Sequence, residues 1–246
     1  MQVIPKYINI LALQLLKKIR GNGFYYRIKD PVFGNAKWLT DKKTTNEFLL
    51  GIYEQELYRS IKIYLKKGDV FYDLGAHWGY FSIMSSRIVG NRGMVYAFEP
   101  MPSNHDRLER NLNINNIENV QVMALAVSDK EGFVEFSNSD DSYANTYKGD
   151  KSSSIKVKTQ SLDNLINEEI RPPNFIKIDV EGAELDVLKG AQNLIKKYKP
   201  VIHLSTHDIH VPGIDSSCLK FLNEIDYRPD LISSKRGIKD YMCTPL

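Results

Sequence analysis

Residues 70–79 read Val-Phe-Tyr-Asp-Leu-Gly-Ala-His-Trp-Gly, and this stretch decides the fold. Val70 to Leu74 is a short, nearly continuous apolar run, as expected of a strand buried on both faces. Gly75 and Gly79 follow at once, and Tyr80 to Val89 then carries helical spacing. A strand that turns through glycines into a helix brings its backbone close to a bound ligand. The two glycines are four apart, so the pattern is G-x-x-x-G and not the G-x-G-x-x-G of a dinucleotide fold. The missing third glycine argues against a pyrophosphate. The acid at Asp73 would repel a phosphate and suits a cationic group, such as a ligand amine.

Working outward, Gly93 to Phe98 is a second buried-type strand, closed by Glu99-Pro100. Glu99 lies 20 residues beyond Gly79, where an acid can accept two hydrogen bonds from a ribose diol. Loop and acid together describe a nucleoside ligand without a pyrophosphate. S-adenosylmethionine fits, with its ribose, amino-acid end and sulfonium. A nicotinamide oxidoreductase would share the strand and the ribose acid, but the absent third glycine speaks against it.

The rest of the chain alternates strand and helix. Ser103 can cap a helix to about Asn115, Val120 to Val127 holds a third strand and its exit, and Leu162 to Ile170 is a short helix. Residues 132–136 and 155–159 alternate like antiparallel strands, separated by a polar excursion near 137–154. Phe175 to Asp179 is the fourth core strand, and Ala183 to Lys197 is an amphipathic helix. Val201 to Ser205 is the fifth strand, Ser216 to Ile225 a helix, and two short strands near Leu231 and Tyr241 end the chain. Near-continuous apolar strands separated by helices indicate an α/β sheet covered on both faces. Phe48 to Tyr64 reads as one helix, while Phe24 to Lys43, aromatic, basic and turn-rich, gives no clear assignment. The expected organisation is an N-terminal helical or irregular extension over residues 1–50 and one catalytic domain over 51–246.

The second dense motif is Phe175-Ile-Lys-Ile-Asp-Val-Glu-Gly-Ala-Glu184. Its acids and lysine cluster at the carboxyl end of a buried strand, where open α/β sheets form their ligand crevice. Strand alternation puts Lys177 and Asp179 on one side, where burial is costly unless they pair or meet a ligand. Glu181 and Glu184 also suit the N-terminus of the following helix, a role unrelated to chemistry.

With these residues in view, the chain resembles the FkbM-type S-adenosylmethionine-dependent methyltransferases. The resemblance rests on Asp73 to Gly79, Ala97-Phe-Glu-Pro100, Asn111 to Asn113 and Ala126-Val-Ser-Asp129. Ser161-Leu-Asp163, Ile176 to Glu184 and Leu188-Lys-Gly-Ala191 complete it. It spans about residues 54–205 and implies a Rossmann-like class I fold with a seven-stranded, mostly parallel sheet. It also implies O-methylation of a hydroxyl on a sugar, glycan or glycosylated small molecule. Carried over residue by residue, it sets Asp73, Gly75 and Gly79 around the methionine end of the cofactor and Glu99 at the ribose. Ala126 and Ser128 fall near the adenine, and Glu54 within reach of the cofactor's amino group. Asp179 and Glu181 line the reaction mouth. The family usually places a glutamate at the exit of the fifth strand, where this chain has Ser205.

His203, His207 and His210 lie close in sequence, beside Asp208. Three readings stand: a divalent metal site completed by Asp179, a metal-free site with His207 or Asp179 as general base, or surface loop histidines. The spacing matches no recognised zinc pattern, so the metal is the less favoured cofactor. His77, inside the glycine loop, is expected to shape the cofactor pocket.

Composition sets the outer limits. The chain has 246 residues and only two cysteines, Cys218 and Cys243, too few for a disulfide scaffold or a four-thiolate site. A reducing, cytoplasmic location is expected, with peripheral contact at the inner membrane face kept open. No run approaches the roughly 20 apolar residues that cross a bilayer, and no signal peptide is recognised. Residues 1–70 carry 13 Lys and Arg against 6 Asp and Glu, whereas the remainder is net acidic. The basic part keeps an RNA methyltransferase as the alternative, with Tyr25, Tyr26, Phe33 and Trp38 available for stacking. No RNA-binding module is recognised, so nucleic acid is the less expected partner. Ile8, Leu11, Leu15 and Ile19 mark one face of an N-terminal helix that ends at Lys17, Lys18 and Arg20. That face would pack on the domain or a second subunit, or rest on a membrane carrying a lipid-linked glycan.

Overall fold

A computed structural model describes residues 12–19, 23–28, 30–137, 154–168 and 170–246. Residues 138–153 of the expected polar excursion, and Ile8 and Leu11 of the first helix, lie outside the described residues.

Helix α1 covers residues 12–19. It buries Leu13 and Lys17, while Leu15 and Ile19 of the expected apolar face are exposed. Lys17 is drawn inward because its amine donates to the carbonyl of Thr44 and to Asn46 Oδ1. The unassigned stretch after it is a hairpin of β1 (Phe24–Arg27) and β2 (Lys37–Thr40). The hairpin docks on two asparagines far along the chain: Leu39 N–H donates to Asn111 Oδ1 at 3.0 Å and Lys37 N–H to Asn115 Oδ1 at 2.7 Å.

The single helix expected over 48–64 is two, α2 (Asn46–Leu50) and α3 (Gln55–Tyr64). The apolar period runs on through the break, but Gly51 takes φ 66° and Glu54 φ 39°. Gly51 sits so close to Asp30 that a Cβ there would lie 2.7 Å from Asp30 Cβ. The reason for the break is thus a contact 21 residues away in sequence.

The core elements follow as β3 (Val70–Leu74), α4 (Tyr80–Val89), β4 (Met94–Phe98), α5 (Pro102–Asn113) and β5 (Val120–Met123). Helix α5 starts at Pro102 with Met101 as its cap, so Ser103 is already inside it. A small sheet of β6 (Ala126–Val127), β7 (Gly132–Ser137) and β8 (Ser154–Gln160) leads into α6 (Leu162–Glu168). Then come β9 (Phe175–Ile178), α7 (Glu184–Gly190), α8 (Gln192–Tyr198), β10 (Val201–His207), α9 (Ile214–Glu224), β11 (Tyr227–Lys235) and β12 (Ile238–Pro245). The helix expected over 183–197 is interrupted at Ala191. Asp163 takes the first amides of α8, accepting from Asn193 N–H at 3.0 Å and Leu194 N–H at 2.7 Å, which starts a new helix there. The closing strands are far longer than expected, because they pair with each other and β12 also pairs with β10.

The main sheet has seven strands in the order β11-β12-β10-β9-β3-β4-β5. Strands β10, β9, β3, β4 and β5 are mutually parallel, and β12 alone runs against its neighbours. Side-chain alternation feeds two cores. Val70, Tyr72 and Leu74 pack with α6 to α9, while Phe71, Val95 and Phe175 pack with Trp38, Phe48, Leu57 and Phe81 on the other face. Residues on both sides of position 50 share this second core. The chain winds outward from β3 to β5 and returns to β9 on the other side of β3, so a crevice opens at the carboxyl ends of β3 and β9. Among the described residues, no helix is long and apolar enough to cross a membrane.

Candidate active site

Register places a polar row across the floor of the crevice. Asp73 on β3 stands opposite Lys177 on β9, and Lys177 opposite His203 on β10. All three are buried. The Lys177 ammonium lies 3.2 Å from Asp73 Oδ1 and 3.5 Å from Asp179 Oδ2, and donates to the Gly75 carbonyl at 3.1 Å. Burial alone would lower its pKa, but the carboxylates of Asp73, Asp179 and Glu54 hold it above the ordinary lysine range. Asp73 also accepts from Ser82 Oγ of α4 at 2.6 Å. Burial and the Lys177 charge push His203 down to about 3, so it is neutral.

Above this floor is a cleft that opens to solvent at its mouth and runs from Asp179 and Glu181 past Gly75 and His77 to Glu99. Gly75 must be glycine: its φ is 76°, and a Cβ would lie 1.9 Å from the carbonyl oxygen of Asp179. The close approach locks the β3 and β9 loops together. His77, with φ 51°, turns its backbone N–H onto Glu99 Oε2 at 2.7 Å and stacks its ring on Trp78. Burial, with the charges of Arg107 and Lys177, pushes its imidazole down to about 3. Trp78 is sandwiched further by the Arg107 guanidinium, 3.5 Å above its ring, and donates to Asn104 Oδ1 at 3.0 Å.

Glu99 is buried at the cleft wall, with Oε1 accepting from Met101 N–H at 3.0 Å and Asn104 Nδ2 at 3.4 Å. Burial pushes its pKa up to about 7 against the pull of these hydrogen bonds. Oε1 thus accepts two bonds already, while Oε2 accepts one and keeps a lone pair for a ribose hydroxyl. Beyond Glu99 the wall is apolar: Met101, Leu125, Ala126, and Val134 and Phe136 from the small sheet. This sequence of an acid, an apolar slot and an opposite acidic end fits a ribose, an adenine and a cationic amino-acid tail.

That acidic end is the third group. Asp179 Oδ1 lies 3.5 Å and Glu181 Oε2 3.4 Å from His207 Nε2. His207 Nδ1 bonds Glu184 Oε1 at 2.7 Å, and the same oxygen accepts Gly182 N–H at 2.9 Å. His210 Nε2 lies 3.0 Å from Glu181 Oε2. Burial would lower the pKa of His207, but Glu184, Asp179 and Glu181 raise it to about 9. Burial and the Asp179 charge push Glu181 up to about 7. Burial opposes the charge on Asp179, but Lys177, His207 and His203 hold its carboxyl below the usual range. Glu54, half-buried at the start of α3, is pushed up to about 8 by burial and by Asp179.

The structure thus brings Asp179, Glu181 and His207 together and lines the cleft with Gly75, His77, Glu99, Ala126 and Ser128. Glu54, Asp73, Gly79 and His207 do not line it. Asp73 is taken up by Lys177 and Ser82, and Gly79 caps α4 beneath Leu108. The reading of all three histidines as surface loop residues fails, since His203 and His207 are each 1% exposed. Sequence reasoning did not single out Asn104 and Asp240. Asp240 on β12 stands opposite Ser205 and accepts from its hydroxyl at 2.7 Å. Burial and the nearby Asp179 charge raise its pKa. The signal for Glu184 was present in the motif, but its helix-terminal position concealed its role behind His207.

Comparison with known proteins gives one consistent result. The methyltransferase FkbM domain matches residues 73–229. The hexuronic acid methyltransferase AglP of Haloferax volcanii is 31% identical over 185 residues, which are 74% of this chain and 73% of that protein. Among solved structures, methyltransferase FkbM from Methylobacillus flagellatus superposes with a TM-score of 0.53 at 20% identity, over 95% of this chain and 58% of that one. The precorrin-6y C5,15-methyltransferase of Geobacter metallireducens gives 0.55 at 15% identity, over 88% of this chain and 98% of that one. At these identities the structural matches speak for the class I fold alone.

Proposed function

This chain belongs to the FkbM-domain methyltransferases, and from that premise we propose that it moves a methyl group from S-adenosylmethionine to a hydroxyl oxygen of a sugar or glycan. The observation that carries the reading is the layout of one cleft, with Glu99 and an apolar slot at one end and Asp179 and Glu181, backed by the buried His207, at the other. When bound, S-adenosylmethionine supplies a methyl group already activated on a sulfonium.

The residues then have an orientation task. Glu99 takes the ribose diol, while Met101, Leu125, Ala126 and Phe136 cover the adenine. Asp179 and Glu181 accept hydrogen bonds from acceptor hydroxyls, and one of them takes the proton of the attacking oxygen as the new O–C bond forms. His207, pinned by Glu184, holds both carboxylates at the mouth.

Two considerations favour a sugar. The similar protein from Haloferax volcanii is named for a hexuronic acid. The mouth also gathers carboxyl groups, with Glu54 and Asp240 near Asp179, which suits partners that donate several hydroxyl hydrogen bonds. A hexuronic acid offers hydroxyls and a carboxylate. A hydroxyl needs a proton acceptor, and two stand in place here.

The test is a methyl-transfer screen with labelled S-adenosylmethionine against sugar nucleotides, uronic acids, capsule-type oligosaccharides and glycolipids. Lipid-linked glycans belong in it, since Leu15 and Ile19 stand exposed beside Lys18 on α1. Label that survives mild alkali marks an ether and supports the hydroxyl. Label lost as methanol marks an ester and overturns it. Transfer to RNA with none to any sugar overturns the acceptor class.

A further inference from the structure

The cluster at the mouth has a geometry that hydrogen bonding alone does not explain. His207 Nε2 lies 3.5 Å from Asp179 Oδ1 and 3.4 Å from Glu181 Oε2. Charge-assisted hydrogen bonds close to about 2.7–2.9 Å. Ligand atoms held about 2.1 Å from a common ion stand about 3.0 Å apart along an octahedral edge and about 3.4 Å along a tetrahedral one. Both observed separations are wider than that hydrogen-bond range and match the tetrahedral edge, and one donor atom from each of Asp179, Glu181 and His207 lies within 4.8 Å of the other two.

We propose that Asp179, Glu181 and His207 bind a divalent cation of the Mn2+ type, with coordination positions left open for the acceptor's oxygens.

Three further features support this. The imidazole is oriented from behind: Nδ1 bonds Glu184, a fully buried carboxylate that also accepts Gly182 N–H. A carboxylate on the far ring nitrogen is the usual support of a metal-binding histidine, because it fixes the tautomer that leaves the Nε2 lone pair toward the ion. Lys177 does not compete for the ligand atom. It pairs with Asp179 Oδ2 and Asp73, leaving Oδ1 turned to the cluster. Glu181 is held at φ 55°, a strained conformation for a residue with a side chain, and strain of this kind gathers at ligand clamps. Two carboxylates and one imidazole suit a metal that accepts both oxygen and nitrogen, which Mn2+ does.

The role of the ion rests on the methyltransferase reading: it would hold neighbouring acceptor oxygens and make a bound hydroxyl more acidic. Its binding does not rest on that reading. The test therefore uses chelator-stripped full chain with Mn2+ alone, followed by electron paramagnetic resonance and calorimetry, with no cofactor or acceptor. The expected result is a single stoichiometric Mn2+ whose spectrum shows hyperfine coupling to an imidazole nitrogen. Asp179→Asn and Glu181→Gln should weaken it at least about tenfold, and Glu184→Gln, a positioning change, by about 10–100-fold. S-adenosylhomocysteine binding in each variant reports folding, and the nitrogen coupling in the unaltered protein gives the answer even if a variant fails to fold. Absence of stoichiometric binding at millimolar Mn2+, or binding without nitrogen coupling, overturns the site. Methyl transfer that persists in excess chelator overturns the ion's role and leaves the methyltransferase reading standing.

Discussion

Glu99 offers a quantitative test, because its carboxylate is only 4% exposed yet must be charged to serve a ribose. Burial pushes its pKa from the ordinary 4.5 up to about 7, and its bonds from Met101, His77 and Asn104 are not enough to restore it. A diol donates to the carboxylate, so cofactor binding favours the charged form. Without ligand, about a tenth of Glu99 is charged at about pH 6 and about nine-tenths at about pH 8. The affinity for S-adenosylhomocysteine should therefore fall about tenfold, or ~1.4 kcal/mol, from the higher pH to the lower. The sign for stability is opposite. The empty fold holds this proton to higher pH than the unfolded chain, so the carboxyl's contribution is complete below 4.5 and is lost as pH rises through about 7. The thermal shift given by ligand should accordingly be larger at the higher pH. In Glu99→Gln the side-chain nitrogen must face the N–H of either His77 or Met101, which leaves a buried donor unsatisfied at ~1–3 kcal/mol. Calorimetry across this pH range on both proteins checks the reasoning, and the variant controls for titration of the ligand itself. A flat affinity in the native protein, or an unchanged slope in Glu99→Gln, would refute it.

Asp179→Asn should lower kcat by about 100-fold or more while moving the S-adenosylhomocysteine Kd less than about threefold; paired steady-state kinetics and calorimetry read this split, and near-normal turnover counts against a catalytic role. Gly75→Ala puts a methyl group 1.9 Å from the Asp179 carbonyl oxygen at φ 76°, so urea unfolding should show a loss above about 3 kcal/mol, and a loss below about 1 would mean the loop can yield. Lys177→Met leaves Asp73 and Asp179 without their shared cation; a stability loss of about 3–5 kcal/mol is expected by the same assay, and a loss below about 1 would mean the pair is dispensable.

How far the sequence foretold this structure can be seen strand by strand. Val70–Leu74 and Phe175–Ile178 were legible because both are buried on two faces and lie next to their glycines and acids. The hairpin of β1 and β2 was not, since each strand has four residues and what holds it is Asn111, 72 residues beyond Leu39. The breaks at Gly51 and Ala191 escaped the periodicity because their causes, Asp30 and Asp163, are tertiary. In the site, Asp179 and Glu181 were singled out from a dense motif, and the structure brings them together with His207. Glu184 was visible but ambiguous, because the first residue of a helix is where an acid is expected anyway.

Ser205 shows why the remainder needs the sheet itself. The family resemblance expects a glutamate at the exit of the fifth strand, and a serine there looks like the loss of an acid. Register answers it: β12 runs antiparallel beside β10 and sets Asp240 opposite Ser205, with the serine hydroxyl donating to Asp240 Oδ1 at 2.7 Å. The carboxylate is close enough to Asp179 to feel its charge and to have its own pKa raised. An acid thus stands one strand sideways, 35 residues later in the chain, and Ser205 donates a hydrogen bond to it. No spacing rule along a single strand would find such a partner, because the distance that matters is the one between neighbouring strands, about 5 Å, and the chain reaches it by a helix and a hairpin. The exchange predicts a coupled pair: Asp240→Asn should impair the enzyme in the native background, and adding Ser205→Glu should restore part of that loss. Additive damage in the double variant, measured as kcat/KM, would show that the two positions do not share one role.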